Sequence, residues 1–377
     1  MRDAVIVEAV RTPIGRRGGA LSGSRADELL ASVLSAAVER AGIDPRAVDD
    51  VIAGCVTQTG EQGANVARVG TLLAGFPVEV AATSVNRQCG SSHQAIHFAS
   101  QAIRSGDADV VVAAGVESMS RVPLGSDYGP WHPELLERYP LVHQGLAAEM
   151  LAQQYRLTRD ECDRYSLDSH HRAARATDDG RFRREILPLR GADGVATITT
   201  DEGIRTDTSL EKLAALPPAF KPDGLITAGN SSQISDGAAA VLLMSDAAAA
   251  SLGVRPRARI VAQTVVGSDP VIMFTGVVPA TRRVLDRANL RLADIDVVEI
   301  SEAFAPVVLA WAADLEPDMA RVNPNGGGIA LGHPVGASGA RLMTTLLHEL
   351  ARTGGRFGLQ VVCIGWGMAT ATVIERL

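Results

Sequence analysis

Three residues of this chain stand where a side chain can do chemistry. Cys89 lies in "SVNRQCGSSHQAI" (residues 84–96), His333 in "GIALGHPVGASGAR" (from Gly328) and Cys363 in "VVCIGWGMA" (from Val361). Cys89 follows a strand-like stretch and precedes a helical pattern, so it is expected at a helix N-terminus. Free N–H groups and the helix dipole there favour a thiolate and lower the thiol pKa. The alternative for such a residue is a buried structural cysteine. His333 is held between Gly332 and Pro334, and the proline restricts its backbone. Facing Cys89, it would make an activated Cys–His nucleophile; alone, it reads as a hydrogen-bonded structural histidine. Cys363 ends a strand and reads alone as core. Beside a Cys–His pair it can serve as a second acid/base, while Gly365 and Gly367 leave N–H groups open to an oxyanion. The glycines before His333 lack both G-K-[ST] and G-x-G-x-x-G, so a phosphate loop is the weaker reading. His93 and His97 share a helical face. They suggest a metal pair or, more simply, core packing.

What must position these groups is a duplicated α/β unit. "AAVERAGIDPRAVDDVIAGCVTQ" (from Ala36) resembles "VLDRANLRLADIDVVEISEAFA" (from Val284). Val51 aligns with Val297 and Gly90-Ser91-Ser92 with Gly336-Ala337-Ser338, both at an offset of 246 (297 − 51 and 336 − 90). "DVVVAAGVESM" (from Asp109) resembles "LQVVCIGWGM" (from Leu359) and pairs Gly115 with Gly365 at an offset of 250 (365 − 115). Matches in order at near-constant offset point to a repeat. The continuous apolar runs point to strands covered on both faces. Residues 118 to 237 differ, being rich in charge, Pro, Tyr and His, and read as an insert over the site. The expected organisation is an N-terminal half, 1–117, completed by 238–250; a loop domain, 118–237; and a C-terminal half, 251–377.

Composition narrows the function. The chain has 377 residues, 46% hydrophobic, with a formal charge of −7. No Lys/Arg run suggests nucleic acid, and no apolar run approaches a membrane span. The N-terminus reads as a strand and turn rather than a signal peptide. The four cysteines, Cys55, Cys89, Cys162 and Cys363, form no C-x-x-C pair, so metal and disulfide frameworks are unsupported. A cytoplasmic location with reduced thiols is expected.

"CGSSHQAI", "SEAFA", "GHPVGASGAR", "CIGWGMA" and "SSQISDGAAAVLL" resemble the signature segments of the thiolase family, in order and over nearly the whole chain. The resemblance implies two pseudo-symmetric five-layered αβαβα halves with an inserted loop domain. It implies an acyltransferase that cleaves a 3-ketoacyl-CoA with CoA, or runs the reverse Claisen condensation. Acyl-CoA and CoA are substrates, with no bound cofactor or metal, and the protein is a homodimer or homotetramer. Cys89 then corresponds to the acyl-accepting nucleophile. His333 corresponds to its base and to a donor to the thioester oxygen, and Cys363 to the second acid/base. The N–H groups of Cys89 and Gly365 form an oxyanion hole, and Ser232, Arg205 and His143 contact substrate or CoA. Two residues depart from the pattern. Ser301 replaces an asparagine that holds a water, and Trp366 replaces a glycine. They leave open an altered substrate or a thiolase-like CoA- or lipid-binding protein of weak activity. A carrier-dependent ketosynthase is disfavoured, because Cys363 stands where that class has a second histidine. Branch-level likeness is to actinobacterial thiolases of steroid degradation.

Overall fold

The computed structural model describes residues 2–191 and 197–377; Met1 and residues 192–196, the latter within the expected insert, lie outside the described residues. Along the chain, β1 (Ala4–Arg11) and the short β2 (Gly15–Arg16) lead into α1 (Ala26–Ala41), β3 (Asp50–Gly54), α2 (Val66–Leu73), β4 (Ala81–Val85), α3 (Ser91–Ser105) and β5 (Val110–Ser118). The next stretch holds α4 (Pro133–Arg138), α5 (Gln144–Gln154), α6 (Arg159–Asp178), the small pair β6 (Leu189–Arg190) and β7 (Thr197–Ile198), and α7 (Leu210–Ala214). Then come β8 (Ser235–Ser245), α8 (Asp246–Ser251), β9 (Ala258–Gly267), α9 (Val277–Ala288), β10 (Val297–Ile300), α10 (Ala305–Leu315), α11 (Ser338–Thr353), β11 (Phe357–Ile364) and β12 (Met368–Arg376).

The main sheet runs β10-β11-β12-β9-β1-β8-β5-β3-β4, with β2 on β8. Its two half-sheets meet where β1 and β9 pair antiparallel at Val5–Arg259 and Ile6–Ala258. The strand residues sort by parity into three cores. On β5, Val110, Val112 and Ala114 face α1 and α2, while Val111 and Ala113 face the central helices α3 and α11. On the other half, Val298, Ile300, Leu359 and Val361 face α9 and α10. The result is five layers, and both sheet faces are buried, which is why the strands read as unbroken apolar runs. Each fully buried Val or Leu contributes about 1.5–3 kcal/mol of burial free energy. Among the described residues no helix is long and apolar enough to cross a membrane.

The repeat is real, but its register is one residue away from the sequence match. The Asp49 carboxylate accepts the N–H groups of Asp109 and Val110 at 2.7 and 2.9 Å. Asp296 does the same for Arg356 and Phe357 at 2.7 and 2.9 Å. These aspartates are 247 apart (296 − 49), as are the left-handed helix caps Gly42 and Asn289 and the helix starts Ser91 and Ser338. The first strands share an irregularity too: β1 skips Val7 in pairing with β8, and β9 skips Val261 in pairing with β12. Gly115 lies inside β5, whereas Gly365 lies beyond the end of β11, so the 250-residue match is not an equivalence. Identical Val and Gly letters are cheap in apolar strands; the hydrogen-bonded aspartates set the true frame.

The stretch between β5 and β8 is tied down by buried charge. Arg11 of β1 is fully buried and pairs with Glu185 at 2.7 Å and Asp201 at 2.7 and 2.9 Å. Removing any one partner would strand a buried charge, at a cost of about 3–5 kcal/mol.

Candidate active site

Cys89 immediately precedes Gly90, the N-cap of α3. The turn is shaped by Gln88, whose φ of 46° is left-handed. It is held by Ser91, whose hydroxyl accepts the Arg87 N–H at 2.9 Å and donates to the Gln88 carbonyl at 2.6 Å. Gly90 is required by close approach: a Cβ there would lie 2.3 Å from Ile364 Cδ1. That approach brings the end of β11, with Cys363 and Gly365, against the thiol. The N–H groups of Gly365 and of Cys89 itself face the Cys89 sulfur. Burial pushes the thiol up to about 12, with Cys363 adding to the rise and the two N–H groups opposing it. This corrects the expectation of a lowered thiol: apolar neighbours such as Val56, Val335 and Ile364 desolvate the sulfur more than the helix terminus favours its charge.

The second joint presents His333. Its backbone N–H donates to Ser235 Oγ at 3.1 Å, and its Nδ1 lies 2.6 Å from Ser338 Oγ. The Ser338 hydroxyl donates to the Pro334 carbonyl at 2.9 Å. A carbonyl only accepts, so that proton is committed, and Ser338 Oγ must accept from Nδ1–H. The ring therefore carries its proton on Nδ1, leaving Nε2 as a lone-pair acceptor. Nε2 is buried and has no partner among the described residues. Burial, and then Arg341, lower His333 to about 4, so the ring is neutral with its Nε2 lone pair free, and burial makes it a weaker base than an exposed imidazole. Val335, two residues on, packs against Cys89.

Cys363 is buried, and the Ser301 hydroxyl lies against it. Ser301 Oγ accepts the Cys363 N–H at 2.9 Å and lies 3.1 Å from its Sγ. With its acceptor side taken, the Ser301 proton points to the sulfur. Burial raises this thiol to about 11, opposed by Ser301 and by the Ala303 N–H.

A cavity of about 320 Å³ opens over Cys89, its walls including Val56, Leu124, Tyr128, Met273, Val335 and Trp366. His143 and Gly365 also line it. His143 caps α5, accepts the Gly145 N–H on Nδ1 at 3.1 Å and stacks on Phe220 at 5.3 Å. Arg205 lies elsewhere, in a second cavity of about 330 Å³ that it shares with His170 and Lys212 and that has no wall residue in common with the first. Ser232 is not a wall residue of either cavity, though its chain neighbour Gln233 lines the second; its N–H donates to the Ala303 carbonyl at 2.9 Å, next to Glu302. His93 and His97 are core residues. Their Nε2 atoms both meet Thr372 Oγ1 at 2.7 Å, and His93 Nδ1 meets Thr370 Oγ1 at 2.9 Å.

Sequence reading missed Ser338 and the buried Glu117. Glu117 accepts N–H groups from Val56, Thr57 and Gly336 and the side-chain amide of Gln62, at 2.8–3.1 Å. A carboxylate inside the apolar strand "VVVAAGVES" was its visible signal. Trp366 takes a left-handed φ of 66° in the β11–β12 turn. A side chain there costs about 1–2 kcal/mol relative to glycine.

Known proteins share this arrangement of elements. A family model described as thiolase, N-terminal domain, matches residues 4–247, and one described as thiolase, C-terminal domain, matches residues 254–376. All of the chain aligns with the steroid 3-ketoacyl-CoA thiolase FadA6 of Mycobacterium tuberculosis, at 50% identity and over 95% of that protein. A beta-ketoadipyl-CoA thiolase of Acinetobacter baylyi is 46% identical, with each chain covered in full. The crystal structure of the Bacillus anthracis acetyl-CoA acetyltransferase matches with a TM-score of 0.92 at 41% identity, covering 100% of this chain and 99% of that one.

Proposed function

The chain belongs to the thiolase family, and from that premise we propose that it cleaves a 3-ketoacyl-CoA with CoA through an acyl-Cys89 intermediate. The observation that carries this reading is the unpartnered, unprotonated Nε2 of a neutral His333, two residues from the Val335 that packs on Cys89, together with a thiol faced by two N–H groups. His333 Nε2 takes the Cys89 proton as the sulfur adds to the 3-keto carbon. The resulting oxyanion is held by the N–H groups of Cys89 and Gly365, each such donor worth roughly 3–4 kcal/mol. Collapse breaks the C2–C3 bond and leaves its electron pair on C2 as the acetyl-CoA enolate. The imidazolium donates to the enolate oxygen, and the Cys363 thiol protonates C2. Incoming CoA gives its thiol proton to the Cys363 thiolate and attacks the acyl group. Cys89 leaves as thiolate and recovers its proton from His333. Atoms and charge balance over the cycle, and the reverse sequence is a Claisen condensation.

Ser301 serves Cys363 in this scheme: its hydroxyl is a side-chain donor beside the thiolate formed midway. Arg205 with Lys212 suits the phosphates and adenine of CoA, with Ser232 along the pantetheine arm. His143 borders the acyl group. The working division is 1–117 with 238–250, the covering insert 118–237, and 251–377. The protein acts in the cytoplasm as a homodimer or homotetramer. The edge strand β4, beside exposed Val69, Leu72, Leu73 and Val78, supports docking of a second copy. Likeness to FadA6 supports a bulky or steroid-derived acyl group.

The test is direct. Purified protein should release acetyl-CoA from a 3-ketoacyl-CoA plus CoA, with the acyl mass appearing on the Cys89 peptide. Cys89→Ala should lose the adduct and roughly 10⁴-fold or more of turnover; an intact rate in that variant would refute the mechanism.

A further inference from the structure

Trp366 occupies a backbone position that favours glycine. The β11–β12 hairpin closes between Ile364 and Met368, and Trp366 and Gly367 both take positive φ, 66° and 74°. A bulky residue kept in that region points to a role for its side chain. The indole has partners from the insert: Trp131 packs on it edge-on at 4.6 Å and Tyr128 lies 6.3 Å away. Tyr128 and Trp131 are themselves 6.1 Å apart. Tyr128 also donates its hydroxyl to Gln88 Oε1 at 3.2 Å, one residue from the nucleophile. The segment Leu124–Trp131 is thus pinned at two points, one on the second-half hairpin and one on the Cys89 turn. Trp366 and Tyr128 both face the cavity over Cys89.

The chemistry of that cavity is one-sided. Its walls are apolar or aromatic apart from Gln88, Gln144, His143 and Cys89 itself, and no Lys, Arg, Asp or Glu lines it among the described residues. His143 has already used Nδ1 on the Gly145 N–H, which leaves Nε2–H as its one donor. A terminal carboxylate carried into this space would lose its water and find no cation. The thiolase reading being granted, we infer that Trp366 is a specificity-determining residue. With Tyr128 and Trp131 it builds an aromatic wall that selects uncharged, apolar acyl groups long or broad enough to reach the indole, against acyl groups ending in a carboxylate. Such a wall would disfavour the acyl group named for the beta-ketoadipyl-CoA thiolase, to which this chain is 46% identical, against 50% to FadA6.

Three thiolysis substrates test it on the full-length protein: 3-oxodecanoyl-CoA (uncharged and long), 3-oxoadipyl-CoA (ω-carboxylate) and acetoacetyl-CoA (too short to reach the wall). Wild type should favour 3-oxodecanoyl-CoA over 3-oxoadipyl-CoA by about 100-fold in kcat/KM, as expected where a buried charge has no partner. Trp366→Gly should lower kcat/KM on 3-oxodecanoyl-CoA relative to acetoacetyl-CoA by about tenfold, the scale of one lost aromatic contact. Trp131→Ala should move the same ratio in the same direction. Equal wild-type rates on the two longer substrates would overturn the inference, as would an unchanged or higher ratio of 3-oxodecanoyl-CoA to acetoacetyl-CoA in both variants. No wild-type turnover of any of the three would instead overturn the thiolase reading, so the two failures are distinct.

Discussion

The joints that open α3 and α11 are built on one plan and put to different uses. Ser91 and Ser338 occupy equivalent first positions of their helices. Each hydroxyl donates back to a carbonyl, Gln88 in one joint and Pro334 in the other. Each then accepts one N–H. In the first joint that donor is the Arg87 main chain, so the serine shapes the turn that presents Cys89, the proposed nucleophile. In the second it is His333 Nδ1, so the serine fixes which nitrogen of the proposed base is free. The same hydroxyl geometry thus holds a backbone once and a protonation state once. The functional difference lies in what stands opposite the serine.

Substitutions can break this comparison, and they rank by expected effect. Ser338→Ala should be the largest: without its acceptor, Nδ1–H no longer fixes the tautomer. Turnover should fall by roughly 10–100-fold, as when a group that orients a ligand or base is removed, with thermal stability nearly kept. A drop in stability alone would make Ser338 merely structural. Ser301→Ala comes next, at about tenfold in kcat. Cys363 must start as a thiol to protonate the enolate, so activity falls as pH rises through its pKa. Ser301 favours the thiolate and so lowers that pKa; its loss should move the alkaline limb to higher pH. The limb staying in place while kcat falls would rule out the pairing. The acid limb, set by a His333 that burial holds near 4, should not move. Ser91→Ala should be the smallest in rate. It removes a backbone tie worth about 1 kcal/mol of stability, read as a lower Tm, with kcat within about threefold. A larger loss of turnover than in Ser338→Ala would collapse the contrast between the joints.

Much of this site was legible in the residues. Strands buried on both faces announce themselves as unbroken Val, Ala and Leu. Cys89 and His333 read as standing at corresponding joints of a repeat and Cys363 at a strand end before Gly365; the structure puts Cys89 just ahead of α3, His333 ahead of α11 and Cys363 near the end of β11. Other features depend on distance in space. The helix terminus is a local feature, and it suggested a lowered Cys89; the desolvation that raises it comes from Val335 and Ile364, far along the chain. The register of 247 rests on Asp49 and Asp296 gripping strands sixty residues later. Ser301 read as the replacement of a water-holding asparagine, and its hydroxyl makes two contacts to Cys363. Trp366 was visible as an oddity, but its partners Tyr128 and Trp131 come from a segment whose sequence carries no periodic signal.

Glu117 belongs to neither half alone. Its carboxylate takes the Val56 and Thr57 N–H groups and the Gln62 amide from its own side, and the Gly336 N–H from across the axis. Separated from the rest, the first half would keep an under-satisfied buried acid, and the second an orphaned N–H just ahead of its central helix. Two look-alike units have in this way ceased to be interchangeable. The fold has traded the freedom of a symmetric pair for a fixed asymmetry, with Cys89 on one side and His333 and Cys363 on the other.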